Sequence, residues 1–166
     1  MSKILKFLGL EKETRHPNAI DKDIVKSYND SRIINNKKHL CHAPFNNMYF
    51  NSLGEVAMCW LTFDKPPKYS ASNSIRDIWF GNDFNKVREN IKVENLDYKC
   101  LTCKKNLERG NFINVLSKAY DNDYPLTAYP SIMEFELSNT CNLECTMCSG
   151  LLSSSIRKNR DKLLPI

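Results

Sequence analysis

Seven cysteines in a chain of 166 residues place the first limit on what this sequence can fold into. Cys41, Cys59, Cys100 and Cys103 are spread along the middle of the chain, while Cys141, Cys145 and Cys148 crowd into one short stretch near its end. An odd number does not suit a closed disulfide framework. The apolar stretch within Met1–Leu10 is short, is interrupted by Lys6 and leads to no small-residue cleavage site, so it does not read as a secretory leader. No run approaches the roughly 18 apolar residues of a membrane span. The expectation is a cytoplasmic chain without a membrane partner, in which thiols are metal ligands rather than disulfides.

Charge narrows the partners. The net charge of +5 arises from 24 Lys and Arg against 19 Asp and Glu. These cations are scattered, with small clusters at Lys37-Lys38, Lys104-Lys105 and Arg157-Lys158. No basic run of the kind that tracks a phosphate backbone occurs, which argues against a nucleic-acid partner. Hydrophobic residues at 42% and charged residues at 26% fit an ordinary globular chain with a modest core.

Residues 1–40 are polar and rich in Asn and Lys. Two short helices are expected there, one over Lys3–Leu10 and one capped by Asp21 and running towards Tyr28. From Cys41 the texture changes. Met48-Tyr49-Phe50 and Glu55 to Trp60 are β-prone runs joined by Asn51-Ser52-Leu53-Gly54, a hairpin signal. Ser74 with Asp77 forms a capping-box pattern ahead of Ile75, Ile78 and Trp79, and Gly81 is placed to end that helix in a left-handed conformation. Asp83 is then the expected cap of a second helix, where Phe84, Val87, Arg88 and Ile91 recur at helical spacing. Cys100 and Cys103 are expected in a loop and a helix over Asn111–Tyr120. A linker with Pro125 and Pro130 follows, then a strand from Ile132 to Leu137 running directly into Cys141.

The spacing Cys141-Asn-Leu-Glu-Cys145-Thr-Met-Cys148 suits a [4Fe–4S] cube. Each of its irons needs one outside ligand, and three thiolates on one loop reach three corners. The fourth iron stays open, as in catalytic rather than sealed structural metal sites. A zinc site made of these three thiolates and a borrowed fourth ligand is the alternative. A strand ending in Ser138-Asn139-Thr140, then CxxxCxxC with Met147 before the last cysteine, resembles the signature of the radical S-adenosylmethionine superfamily. Many members carry an aromatic residue where Met147 stands. The resemblance implies that Cys141, Cys145 and Cys148 hold the catalytic cluster, with Met147 beside the cofactor. It further implies that S-adenosylmethionine is cleaved there to a 5′-deoxyadenosyl radical that abstracts hydrogen, on the loop after the first strand of a partial (β/α) barrel.

The other four cysteines suffice to close a second site, either a [4Fe–4S] cluster or tetrahedral zinc. A cysteine before the hairpin, one at its far end, two helices and a CxxC pair resemble the SPASM and twitch domains of radical enzymes. The segment from Asn73 to Phe84 is especially similar. Four cysteines fit the shorter, one-cluster twitch form, although such a domain usually follows the barrel rather than preceding it. By this resemblance Cys41, Cys59, Cys100 and Cys103 hold an auxiliary cluster, a reductant such as flavodoxin or ferredoxin is the redox partner, and the substrate is a peptide or small molecule. A zinc-stabilised, non-catalytic interaction module remains the alternative.

The expected fold class is α+β. It comprises a polar helical extension (1–40), a SPASM/twitch-like module (41–112), a helix and linker (113–130) and the start of a radical S-adenosylmethionine barrel (131–166). Only the first βα unit of that barrel is present, and the glycine-rich acidic segment that meets the amino group in relatives does not follow. The chain thus reads as the N-terminal portion of an enzyme, incomplete and inactive alone. Trp60 and Trp79 are expected in the core, His16 and His39 in solvent, and His42 beside the auxiliary site. Glu134 and Glu136 should form the polar face of their strand.

Overall fold

The computed structural model describes residues 15–62, 64–122, 125–138, 140–150 and 152–162. The helix expected over Lys3–Leu10 lies outside these residues. Helix α1, Lys22–Asp30, begins where Asp21 predicts: its carboxylate accepts from the backbone N–H of Asp23 (2.8 Å) and Ile24 (3.4 Å). Tyr28 on this helix is fully buried, and its hydroxyl pairs with Ser117 Oγ at 2.6 Å. Just beyond the helix, the Arg32 guanidinium forms a two-pronged ion pair with Asp121 and donates to the carbonyl of His39 at 2.8 Å. The segment entering Cys41 is thereby held from two sides.

Helix α2, Ala43–Asn46, has Pro44 in its first turn, where a missing N–H costs nothing, and it feeds strand β1, Asn47–Phe50. The hairpin forms as its turn residues predict. Asn51 Oδ1 accepts from the N–H of Leu53 (3.0 Å) and Glu55 (2.9 Å), and β2, Val56–Ala57, returns antiparallel with Tyr49 opposite Ala57.

Helix α3, Ile75–Trp79, carries the reciprocal capping box, with Asp77 N–H donating to Ser74 Oγ at 3.2 Å and Ser74 N–H to Asp77 Oδ2 at 3.0 Å. Gly81 departs from expectation. It is not left-handed but extended (φ −67°, ψ 166°), and it caps helix α4, Asn82–Lys92. Glycine is required there for clearance, since a Cβ would lie 2.8 Å from the Asp77 carbonyl oxygen. Asp83 therefore sits inside the first turn of α4 rather than capping it. There it accepts from Tyr98 Oη and Lys99 Nζ, both at 2.6 Å.

Helix α5, Leu101–Glu108, starts at Cys100, so the CxxC pair occupies a helix start and not a loop. The helix expected over Asn111–Tyr120 is instead two 3₁₀ turns, Phe112–Asn114 and Leu116–Tyr120. Val115 between them is extended and buried, which breaks an α-helical path. Strand β3, Ile132–Phe135, pairs parallel with β1, Tyr49 opposite Glu134, to give the sheet order β2-β1-β3. Helix α6, Ser154–Asn159, follows the last cysteines. The result is a small mixed α and β fold.

The core centres on Trp79, which is fully buried and packs tilted against Phe84, with ring centroids 5.4 Å apart. Its indole N–H donates to the Thr127 carbonyl at 3.0 Å, pinning the proline-bearing linker to the module. Arg88 lies 4.3 Å from the Trp79 ring centroid and donates to the carbonyls of Trp79 (2.6 Å) and Pro44 (2.7 Å). It is itself buried, and that burial lowers its pKa to about 10. A cation paired only with carbonyls, an amide oxygen and aromatic faces thus locks α4 against α2. Trp60 is the exception among the expected core aromatics, being 54% exposed. Among the described residues, no helix is long and apolar enough to cross a membrane.

Candidate metal centres

The four dispersed cysteines meet around one cavity. It encloses about 30 Å³, room for a couple of waters, and its wall includes Cys41, Cys59, Cys100 and Cys103. Leu40, Leu96, Leu116 and Tyr120 make most of the remainder apolar. Each thiol arrives by a different local device. Cys41 is carried by the segment that Arg32 anchors, just ahead of α2. Cys59 lies past β2 in a turn closed by Thr62, whose N–H and hydroxyl both donate to the Cys59 carbonyl (3.1 and 2.9 Å). Cys100 and Cys103 are one turn apart at the start of α5, where a helix terminus favours negative charge.

Burial drives the electrostatics. The Cys41 thiol is pushed well above its usual range, first by desolvation and then by the neighbouring Cys59, Cys100 and Cys103. The same cause raises Cys59 to about 11 and Cys100 to about 12, and it raises Cys103 as well. Four thiols that oppose one another's ionisation become stable thiolates only beside a compensating cation. The backbone is already oriented for that state. The N–H of Ala43 faces Cys41, that of Leu61 faces Cys59, and those of Leu116 and Ser117 face Cys103, each favouring the thiolate.

These sulfurs surround the cavity without converging on a point. Among the described residues, no three Cys, His, Asp or Glu side chains gather closely enough to hold one metal ion. A tetrahedral zinc site with bonds of about 2.3 Å needs its sulfurs roughly 3.8 Å apart. A cube, with an iron at each of four corners, needs them wider. Four thiols around one cavity are a donor set that either group could use.

Cys141, Cys145 and Cys148 are placed quite differently. They follow β3 on an irregular loop, with Cys141 and Cys145 exposed and Cys148 half-buried. Met147 beside them is 95% exposed. The start of α6 holds this loop together. Ser153 accepts from Ile156 N–H as the N-cap, and its hydroxyl also reaches the carbonyls of Cys141 (3.0 Å) and Leu143 (2.7 Å). Ser154 Oγ and Ser155 N–H donate to the same Cys141 carbonyl (3.1 and 3.2 Å). Arg160 donates to the Cys148 carbonyl, and Gly150 N–H to Asp161 Oδ2 at 2.7 Å. Gly150 permits this closure, because a Cβ there would lie 2.9 Å from Arg157 Cα.

His42 is buried but outside the cavity wall, with Nδ1 hydrogen-bonded to the Asn122 carbonyl (3.0 Å). His39 is half-buried rather than solvated and stacks on Phe45 at 4.4 Å, and its desolvation lowers its pKa to about 4. Leu116, Ser117 and Tyr120 of the cavity wall were not foreseeable from the sequence, because tertiary packing alone brings their 3₁₀ turn to the cysteines.

No curated protein and no solved structure matches this chain. A family model does match. Its span contains the four cavity cysteines and stops short of Cys141: residues 41–104 match the SPASM iron-sulfur cluster-binding domain.

Proposed function

We propose that the chain is part of a radical S-adenosylmethionine enzyme carrying two iron–sulfur clusters. Cys141, Cys145 and Cys148 would ligate a [4Fe–4S] cluster with one open iron, and Cys41, Cys59, Cys100 and Cys103 an auxiliary cluster. The observation that carries this reading is the meeting of four thiols from three distant segments at one cavity inside the SPASM match. Domains of that type are typical of radical S-adenosylmethionine enzymes, and the CxxxCxxC loop lies a few residues beyond a strand hydrogen-bonded to the module itself. When bound, the catalytic cluster supplies an electron for cleaving the sulfonium of S-adenosylmethionine.

The chain's own residues do the positioning. Ser153, Ser154 and Arg160 fix the carbonyls of Cys141 and Cys148, leaving the thiols of an exposed loop free to turn towards a common point. Exposure on that side leaves an outer ligand a path to the open corner. At the other site the apolar wall excludes water and sets a low local dielectric. The substrate would be a peptide or small molecule, and the reductant a flavodoxin- or ferredoxin-like carrier.

The test is spectroscopic. Adding S-adenosylmethionine to the anaerobically reconstituted, reduced protein should change the electron paramagnetic resonance signal of the loop cluster. That change should survive Cys100→Ser and vanish in Cys148→Ala. A signal indifferent to S-adenosylmethionine would mean that a fourth protein ligand closes the loop site.

A further inference from the structure

Strand β3 is an edge strand whose acidic side chains are drawn into the protein on one face. Met133 and Phe135 share a sheet face with buried Met48 and Phe50, Phe135 stacking on Phe50 at 4.9 Å, yet they are 39% and 56% exposed, whereas Glu134 on the other face is half-buried. A carboxylate taken partly out of water needs compensating donors. Glu134 finds one, and it leads to the four-cysteine cavity. Asn47, fully buried, donates from one amide nitrogen to Glu134 Oε1 (2.6 Å) and to the Met58 carbonyl (2.9 Å), one residue before Cys59. The same carboxylate neighbours Tyr120, a residue of the cavity wall. No Lys, Arg or His forms an ion pair with Glu134 among the described residues. Its direct partner there is a neutral amide.

We infer that Glu134 is a positioning residue for the four-cysteine centre, where its charge, joined through Asn47 to the peptide that leads into Cys59, holds the reduction potential down. This rests on reading the four thiols as ligands of an iron–sulfur cluster. Adding an electron to a cluster is harder when a fixed negative charge lies close by in a poorly screened place. Because β3 delivers Glu134 and continues into the Cys141 loop, the tuning would depend on this strand being docked on β1. Glu136 is the internal control. It lies two residues further along the chain and accepts from Tyr49 Oη at 3.2 Å rather than from Asn47.

The test uses the full chain with Cys141, Cys145 and Cys148 replaced by Ala, so that only the four-cysteine centre can hold a cluster. After anaerobic reconstitution, iron content is measured first. The reduction equilibrium is then followed by paramagnetic resonance against a set potential. Glu134→Gln keeps the shape and removes the charge, and should favour the reduced form about tenfold, or about 59 mV for one electron. Glu134→Asp should restore most of the original value, and Glu136→Gln should change it by less than about twofold. Unchanged potential in Glu134→Gln at full iron content would overturn the inference and leave the cluster reading standing. Failure of Glu134→Gln to take up iron would overturn it too, by making Glu134 a folding residue. Absence of iron from the parent protein would instead overturn the cluster reading itself.

Discussion

Cys41, Cys59, Cys100 and Cys103 come from three separate segments and meet at a cavity packed against the core, whereas Cys141, Cys145 and Cys148 lie together on one largely exposed loop. The difference separates two ways of building a metal site. The first needs α1, the hairpin, α5 and both 3₁₀ turns in place before its thiols can meet, so its occupancy and the fold stand or fall together. The second is local: a loop closed by the serines at the start of α6 holds its three cysteines whatever the rest of the module does. A closed site suits storing or relaying charge, and an open one suits binding an exchangeable ligand.

Substituting cysteines breaks this comparison most sharply. Cys59→Ser or Cys100→Ser should abolish the iron of the cavity and lower the melting temperature steeply, with loss of cooperativity by circular dichroism. Cys148→Ala should leave the melting transition within about 0.5 kcal/mol of the parent while removing the loop iron. Equal destabilisation by both would show that the loop is as much a folding element as the cavity.

The core that shapes the cavity should respond next. Trp79→Ala should cost about 3–5 kcal/mol in a denaturant titration, since it empties a fully buried site beside Arg88. Trp60→Ala, on the exposed neighbour of Cys59, should stay within about 0.5 kcal/mol.

Thiol chemistry in the metal-free protein sharpens the contrast further. Burial at Cys59, pushed to about 11, cuts its thiolate fraction at pH 8 on the order of a hundredfold relative to a free cysteine at about 8.5. Iodoacetamide followed by peptide mapping should therefore label the 141–148 loop first and the cavity last. The sign of the pH effect follows. Cys59 and Cys100 hold their protons more tightly when folded, so the stability they contribute is complete below about pH 8.5. It is lost as pH rises through about 11 and about 12. Alkaline titration of the metal-free protein should show melting temperature falling across that window. A melting temperature that climbs there would contradict the burial of these thiols.

The loop's own cap should give a small, local effect. Ser153→Ala removes the α6 cap and should cost about 1 kcal/mol, confined to the loop. Hydrogen exchange should quicken over residues 141–156 and remain unchanged at Tyr28 and Trp79.

What the sequence disclosed follows the same division. Features settled within a few residues were legible: Asp21 as a cap, the Ser74–Asp77 box, the hairpin turn at Asn51–Gly54, and the helical spacing of Phe84, Val87 and Ile91. The four-plus-three division of the cysteines could be read in the same way, by counting. Features decided by distant packing were not. Gly81 is required by the Asp77 carbonyl rather than by a left-handed turn, and Val115 leaves the helical path in an element whose residues supply part of the cavity wall. Trp60 and His39 exchanged their expected environments, because hydrophobicity does not say which neighbours arrive. Alternation in β3 showed one polar and one apolar face but not that the polar one is drawn into the protein. That depended on Asn47, far away in sequence.

The central claim is that one chain holds two clusters, one closed and one open. Iron and acid-labile sulfide per chain, counted after anaerobic reconstitution, test it most directly. The account predicts about eight irons and eight sulfides in the parent, and about four of each when Cys141, Cys145 and Cys148 are replaced by Ala. About four should also remain when Cys41, Cys59, Cys100 and Cys103 are replaced, provided the loop still folds. Stoichiometric zinc in protein from iron-replete cells, or undiminished iron in the first of these variants, would contradict it.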